Sequence, residues 1–246
     1  MNNTALELSI VVPSYNEEGR LPGTLERIAN YIKTQRPNTE VIVVDDGSTD
    51  GTARMAEDFR GRIGNLRVIP NGVNRGKGFS VKIGSLAALG DVVLFTDADL
   101  SAPIEEAEKL LAALKNCDVA IGSRAMNRKL IEAHQSAFRE FAGILFNKIV
   151  RIILRLPFVD TQCGFKAFRR ERCSIIFEQQ TIERFGFDPE LLYLARHHGL
   201  TTVEVPVRWA HSPATKVSMF RDSLQMFADV FVIRWNGLRG RYRREK

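Results

Sequence analysis

Short apolar runs that stop at polar clusters alternate with segments of helical spacing through the first half of the chain. "LSIVVPSYN" (8–16) is a β-branched run ended by Pro13, and "EVIVVDDGSTDGT" (40–52) is a second run closing in a polar turn. "LRVIPN" (66–71), "DVVLFTDAD" (91–99) and "CDVAIGSR" (117–124) read as further strands. Between them, "GTLERIANYIKTQ" (23–35) sets Leu25, Ile28, Ala29 and Ile32 at helical spacing. "GTARMAEDFRG" (51–61), "GKGFSVKIGSLAAL" (76–89) and "PIEEAEKLLAALK" (103–115) read as helices, the last with Pro103 near its first turn. Strands without clean alternation, separated by helices, predict an α/β fold with a mostly parallel central sheet and helices on both faces.

The second half has another texture. "SAFREFAGILFNKIVRIILRLPF" (136–158) predicts a long helix, with Phe141, Leu145, Ile149, Ile152 and Leu156 on one side and Lys148, Arg151 and Arg155 on another. "GFDPELLYLARHHG" (186–199) predicts a helix with Asp188 as N-cap and Pro189 at its first position. "TTVEVPVRW" (201–209) reads as a strand, and an apolar helix with a basic tail ends the chain.

Charge narrows the partners. A net charge of +6 and a pI near 9.4 favour anionic ligands such as nucleotides, phosphates or an anionic membrane surface. No aromatic RNA-binding motif accompanies the basic residues, so nucleic acid is not expected. The cysteines (Cys117, Cys163, Cys173) lack metal-ligand spacing and read as small buried hydrophobes of a reducing compartment. None of His134, His197, His198 or His211 lies in a catalytic pattern. The N-terminus carries no signal-peptide pattern, and no apolar stretch reaches the roughly 18–20 residues of a spanning helix, which predicts a soluble or peripheral protein.

In parallel sheets of this kind ligands bind at the carboxyl ends of the strands. The polar clusters fall there: Ser14-Tyr15-Asn16-Glu17, Asp45-Asp46-Gly47-Ser48 and Asp97-Ala98-Asp99. Asp97 and Asp99, one residue apart beyond an apolar strand, repel one another and call for a positive partner. A hard divalent cation is one answer, held by one or two carboxylates with phosphate and water. A turn whose aspartates cap the next helix is the other reading. Asp45 or Asp46 can accept hydrogen bonds from a base or a ribose, or can cap a helix. "NRGKG" (74–78) adds Arg75 and Lys77 as donors to a diphosphate or a base edge, in a frame that is otherwise an ordinary loop.

"SIVVPSYNEE", "VIVVDDGSTDGT", "NRGKG", "FTDADLS" and "GSR", in this order over residues 8–124, resemble the family 2 glycosyltransferases with the Rossmann-like GT-A fold. "DTQCGFKAFRRE" (160–171), "RFGFDPELLYLA" (184–195) and "VEVPVRW" (203–209) resemble the polyprenyl-phosphate sugar synthases, the glucosyl branch more than the mannosyl one. The resemblance implies a single domain over 1–246, with a nucleotide-sugar half (1–124), an acceptor half (125–217) and an amphipathic helix with a basic tail (218–246). It implies a nucleotide-sugar donor, UDP-glucose on the glucosyl branch, and a Mg²⁺ or Mn²⁺ ion on Asp97 and Asp99, with Asp99 the first choice as ligand. Pro13, Tyr15, Glu17, Asp45, Asp46, Lys77, Asp97 and Ala98 then border the donor. Arg124, Arg139, Gln162, Lys166 and Lys216 face a polyprenyl (dolichyl) monophosphate acceptor, and Arg124, Arg139 and Lys166 join the aspartates as catalytic residues.

The implied reaction is an inverting displacement. A lipid monophosphate, with a second pKa of roughly 6, needs cations to hold it and no general base. A saccharide hydroxyl would need a base, for which Asp188 is the candidate, and a non-catalytic nucleotide-binding module is the remaining alternative. The helix at 138–156 and the segment 219–235, with Phe220, Phe227, Phe231, Trp235 and nearby arginines, are candidates for lying on the cytoplasmic face of a membrane. Their apolar residues are alternatively packed on the domain or form a homo-oligomer contact.

Overall fold

A computed structural model describes residues 5–133, 137–210 and 221–243. The first half winds as β1 (Leu8–Ser14), α1 (Leu21–Gln35), β2 (Thr39–Asp45), α2 (Thr52–Asp58), β3 (Leu66–Pro70), α3 (Lys77–Ala87), β4 (Val92–Thr96), α4 (Ala107–Ala113) and β5 (Val119–Ser123). The second half follows as β6 (Ile131–Ala133), α5 (Ala137–Leu154), β7 (Phe165–Arg169), α6 (Arg170–Gln179), α7 (Phe187–His197), β8 (Thr202–Pro206), β9 (Trp209–Ala210) and α8 (Arg221–Leu238). The central sheet has seven strands in the order β3-β2-β1-β4-β7-β5-β8. Every neighbouring pair is parallel except those of β7, which runs antiparallel to both β4 and β5.

Burial on both faces explains the continuous apolar runs. All seven residues of β1 and of β2 are buried. One face packs Leu25 and Ile28 of α1 and Leu110 of α4 against Ile10, Val12 and Leu94. The other packs Val81 of α3, Ile176 of α6, Leu191 of α7 and Ile233 of α8 against Val11, Phe95 and Ile121. The connections leave β1 toward β2 on one side, and β4 joins it on the other. That reversal opens the crevice at the carboxyl ends of β1 and β4 in which open α/β sheets bind ligands.

Strand β7 and helix α6 lie in a region for which the sequence pattern offers no element. Lys166 is the second residue of β7, opposite Phe95 on one neighbour and Ile121 on the other. A lysine followed by Arg169 and Arg170 disguises a central strand as a polar segment. Helix α7 also starts earlier than predicted: its N-cap is Gly186, and Asp188 lies inside the first turn. Helix α5 ends at Leu154, short of the predicted 158, and Leu156 beyond it is buried. The three cysteines are buried and unpaired, and burial pushes the Cys163 and Cys173 thiols up to about 12. His197 bonds the Tyr242 carbonyl at 3.0 Å and His198 the Gln179 side chain at 3.2 Å, both packing roles. His134 and His211 lie outside the described residues.

Candidate active site

Two cavities meet at the carboxyl ends of the strands. The first, of about 340 Å³, is lined by Pro13, Tyr15 and Glu17 after β1, by Asp46 after β2 and by Asp97, Ala98 and Asp99 after β4. Gly76, Lys77 and Ser80 bring the amino end of α3 to it, and a helix amino end favours an anion. Apart from Asp45, every residue predicted to border the donor lines this cavity. The Asp45 carboxylate turns back to accept from the Ser48 N–H at 3.4 Å.

Asp46 is occupied by the loop beyond β3. It accepts from Asn71 Nδ2 at 2.8 Å and from the Arg75 and Gly76 N–H groups at 3.0 and 2.7 Å. Gly76 has φ +116°, and a Cβ there would lie 2.6 Å from the Glu183 carbonyl, so the turn requires glycine. Held this way, Lys77 points into the cavity and Arg75 does not. The Arg75 guanidinium stacks on Phe79, 3.5 Å from the ring centroid, and pairs with Glu183. The expectation that Arg75 donates to a diphosphate is therefore corrected.

The acidic pair is shaped by its backbone. Leu100, immediately beyond it, has φ +46°, and this turn lets the Ser101 N–H donate to Asp99 Oδ1 at 3.0 Å. The Ala98 carbonyl accepts from the Thr24 hydroxyl at 2.6 Å. Gly164 abuts the Asp97 carboxylate so closely that a Cβ there would collide with it. The positive partners are side chains: Lys77 Nζ lies 2.5 Å from Asp97 Oδ1, and Arg20 Nη1 lies 4.0 Å from Asp99 Oδ2. Burial works against the Lys77 ammonium, but the Asp97, Asp188 and Asp99 carboxylates outweigh it and hold its pKa above the ordinary lysine value. Among the described residues no cluster of three or more His, Cys, Asp or Glu side chains forms a metal cage. Two carboxylates opening on a cavity with room for phosphate are instead the donor set that suits Mg²⁺ or Mn²⁺.

The second cavity, of about 510 Å³, lies between α5, α8 and the carboxyl end of β5. Lys77 and Phe185 line both cavities, so the two share a wall. Arg124 and Gln162 line the second, together with Asp188 and Trp209. The Arg124 guanidinium forks onto Asp160, Nε to Oδ2 at 2.7 Å and Nη2 to Oδ1 at 2.8 Å, and lies 5.4 Å from the Trp209 ring centroid. Burial alone would raise the Asp160 carboxyl, but Arg124 holds it down to about 2.

Lys166 is a correction. It is fully buried, and its ammonium is spent on the Asp188 carboxylate and the Cys163 carbonyl, the latter at 2.5 Å. It supports Asp188 from beneath and does not face an acceptor. Arg139 lies in the first turns of α5, and its side chain is outside the described ones; Lys216 lies outside the described residues altogether. Sequence reasoning missed Arg20, Asp160, Arg184 and Phe185. The last two belong to the "RFGFDPE" string, and their loop is held by Glu190, which accepts from the Thr181 and Ile182 N–H groups at 3.0 and 2.8 Å.

This architecture and its motifs have relatives. The family model for glycosyl transferase family 2 matches residues 9–175. The dolichyl-phosphate beta-glucosyltransferase of Homo sapiens is 37% identical over 254 residues, covering 98% of this chain and 78% of that one. The enzyme of the same name from Drosophila melanogaster is 39% identical, covering 94% and 76%. Among solved structures, glucosyl-3-phosphoglycerate synthase from Mycobacterium tuberculosis, in complex with Mn²⁺, UDP-glucose and phosphoglyceric acid, superposes with a TM-score of 0.68 at 20% identity, over 93% of this chain and 80% of that one. The chain belongs to glycosyl transferase family 2 and resembles its dolichyl-phosphate beta-glucosyltransferases.

Proposed function

We propose that the protein transfers glucose from UDP-glucose to a dolichyl or other polyprenyl monophosphate at a membrane surface, with inversion at the anomeric carbon. The observation that carries this is the shared wall: an acidic pair in one cavity and the Arg124–Asp160 fork in the next, with Lys77 and Phe185 lining both. The similarity to dolichyl-phosphate beta-glucosyltransferases supports the choice of sugar and acceptor.

In this reading the donor diphosphate lies at the amino end of α3. Asp97 and Asp99 would hold a divalent ion, which would supply positive charge against the diphosphate. Lys77 offsets charge that develops on the leaving UDP. Arg124, kept in place by Asp160, holds the acceptor phosphate. A phosphate oxygen forms the new bond to the anomeric carbon as the bond to the UDP oxygen breaks. A phosphate with a second pKa of roughly 6 is already anionic near neutrality, so no side chain need take a proton.

The second cavity opens beside apolar helix faces. Phe141, Ile144, Leu145 and Ile152 of α5 and Leu224, Phe231, Trp235 and Leu238 of α8 are exposed, and the two helices pack on one another. Arg239 covers the Trp235 ring at 4.3 Å. Among the described residues no helix is long and apolar enough to cross a membrane. An interfacial seat for α5 and α8 fits these faces and brings a lipid headgroup to Arg124.

The test is a donor and acceptor screen: UDP-glucose or GDP-mannose, polyprenyl phosphate in anionic vesicles or a soluble oligosaccharide, with Mg²⁺ or Mn²⁺. Lipid-linked glucose is expected from UDP-glucose alone, and Asp99→Asn is expected to abolish it. Product formed only on the oligosaccharide, and lost in Asp188→Asn, would replace the reading with hydroxyl transfer. Full turnover by Asp99→Asn would refute the metal site.

A further inference from the structure

The chain itself sets cations beside the acidic pair. Lys77 Nζ stands 2.5 Å from Asp97 Oδ1, and Arg20 answers Asp99 from 4.0 Å. The two cations are not equivalent. Arg20 is clamped by both oxygens of Glu17, at 2.6 Å each, and so has a partner of its own. Lys77 is the first residue of α3, at the wall between the cavities, with a flexible stem and its charge directed at Asp97. An ammonium and a divalent ion cannot both take that carboxylate oxygen at full strength.

We propose that Lys77 is a place-holder for the divalent ion: it occupies Asp97 until a diphosphate draws the ammonium away, so that ion and nucleotide bind as a unit. The inference rests on the reading of Asp97 and Asp99 as the metal site. Lys77 is then a coupling residue in addition to its role toward the leaving group. By reciprocity the nucleotide strengthens the ion as much as the ion strengthens the nucleotide. In the bare protein the ion competes with an ammonium at contact distance and binds weakly. With the diphosphate present, the ammonium has a second anion to neutralise, and the carboxylate is released.

Mn²⁺ titration of the full chain, read by the electron paramagnetic resonance of the free ion with and without UDP, tests this. Lys77→Met and Lys77→Gln are expected to bind Mn²⁺ alone about tenfold more tightly than the wild type, and the gain conferred by UDP shrinks by a similar factor, within the usual range of coupling between sites. Lys77→Arg retains the weak affinity of the wild type, because the charge remains. Equal Mn²⁺ affinity of the wild type and both neutral variants without UDP overturns the place-holder while leaving the metal site standing. A wild type whose Mn²⁺ affinity is unaffected by UDP also overturns it, whatever the variants do. Absence of Mn²⁺ binding by the wild type under every condition overturns the metal reading and the place-holder together.

Discussion

Replacing Asp160 by Asn removes one half of the fork that fixes Arg124 without changing its volume. Asp160 is almost wholly buried, and the Arg124 side chain is 29% exposed. Besides the two guanidinium bonds, the carboxylate accepts from the Arg124 N–H at 3.0 Å and the Gln162 N–H at 3.2 Å. Breaking a buried pair from one side costs about 3–5 kcal/mol, and partial exposure of the arginine argues for the lower end, about 3 kcal/mol. The charge contribution can be reckoned separately. A carboxyl held at about 2, against its ordinary value of 3.8, corresponds to about 2 kcal/mol of stability. Because the folded-state pKa is the lower one, this stability is complete above the unfolded value and is lost as the pH falls toward 2. About half of it should be gone by pH 3. Urea unfolding of the wild type and Asp160→Asn, compared at pH 7 and pH 3, should show a gap of about 3 kcal/mol that narrows on acidification by about 1 kcal/mol. A gap below about 0.5 kcal/mol at pH 7, the range of an ordinary surface substitution, would refute the assignment of Asp160 as the anchor of Arg124. So would a gap that does not change with pH.

Gly164→Ala should separate stability from binding. The atoms nearest its Cβ belong to the Asp97 carboxylate, a side-chain end that can turn aside, so unfolding should shift by less than about 1 kcal/mol, while displacement of that carboxylate lowers turnover about 100-fold. Glucosyl transfer and urea midpoints measured on one preparation check both halves. Lys166→Met leaves the buried Asp188 carboxylate without its ammonium and should cost about 3–5 kcal/mol. Lys166→Met combined with Asp188→Leu should recover most of that loss, whereas additive losses in the double-mutant cycle would show that the pair is not coupled.

The legible parts of the chain were those where one kind of residue does one job. Strands β1, β2, β4 and β5 announce themselves as apolar runs because burial on both faces removes every reason for alternation, and the polar ends of β1, β2 and β4 mark the crevice. The segment around Lys166 was illegible for the opposite reason. In β7 a buried ammonium answers the Asp188 carboxylate of α7, and a single-chain pattern cannot distinguish a lysine neutralised by tertiary structure from one in a loop. The Arg124–Asp160 fork spans 36 residues and was hidden likewise. The acidic pair is the instructive case. Its mutual repulsion does require positive charge, and an Asp-x-Asp at a strand end points to a metal ion, while Lys77 and Arg20, distant along the chain, are not visible as its partners. Folding sets both cations beside the carboxylates, so the folded protein tolerates the pair before any ion arrives. A carboxylate already paired with an ammonium takes a divalent ion at full strength only when that ammonium moves away. The diphosphate of the donor is the anion whose expected seat, at the amino end of α3, lies beside that ammonium.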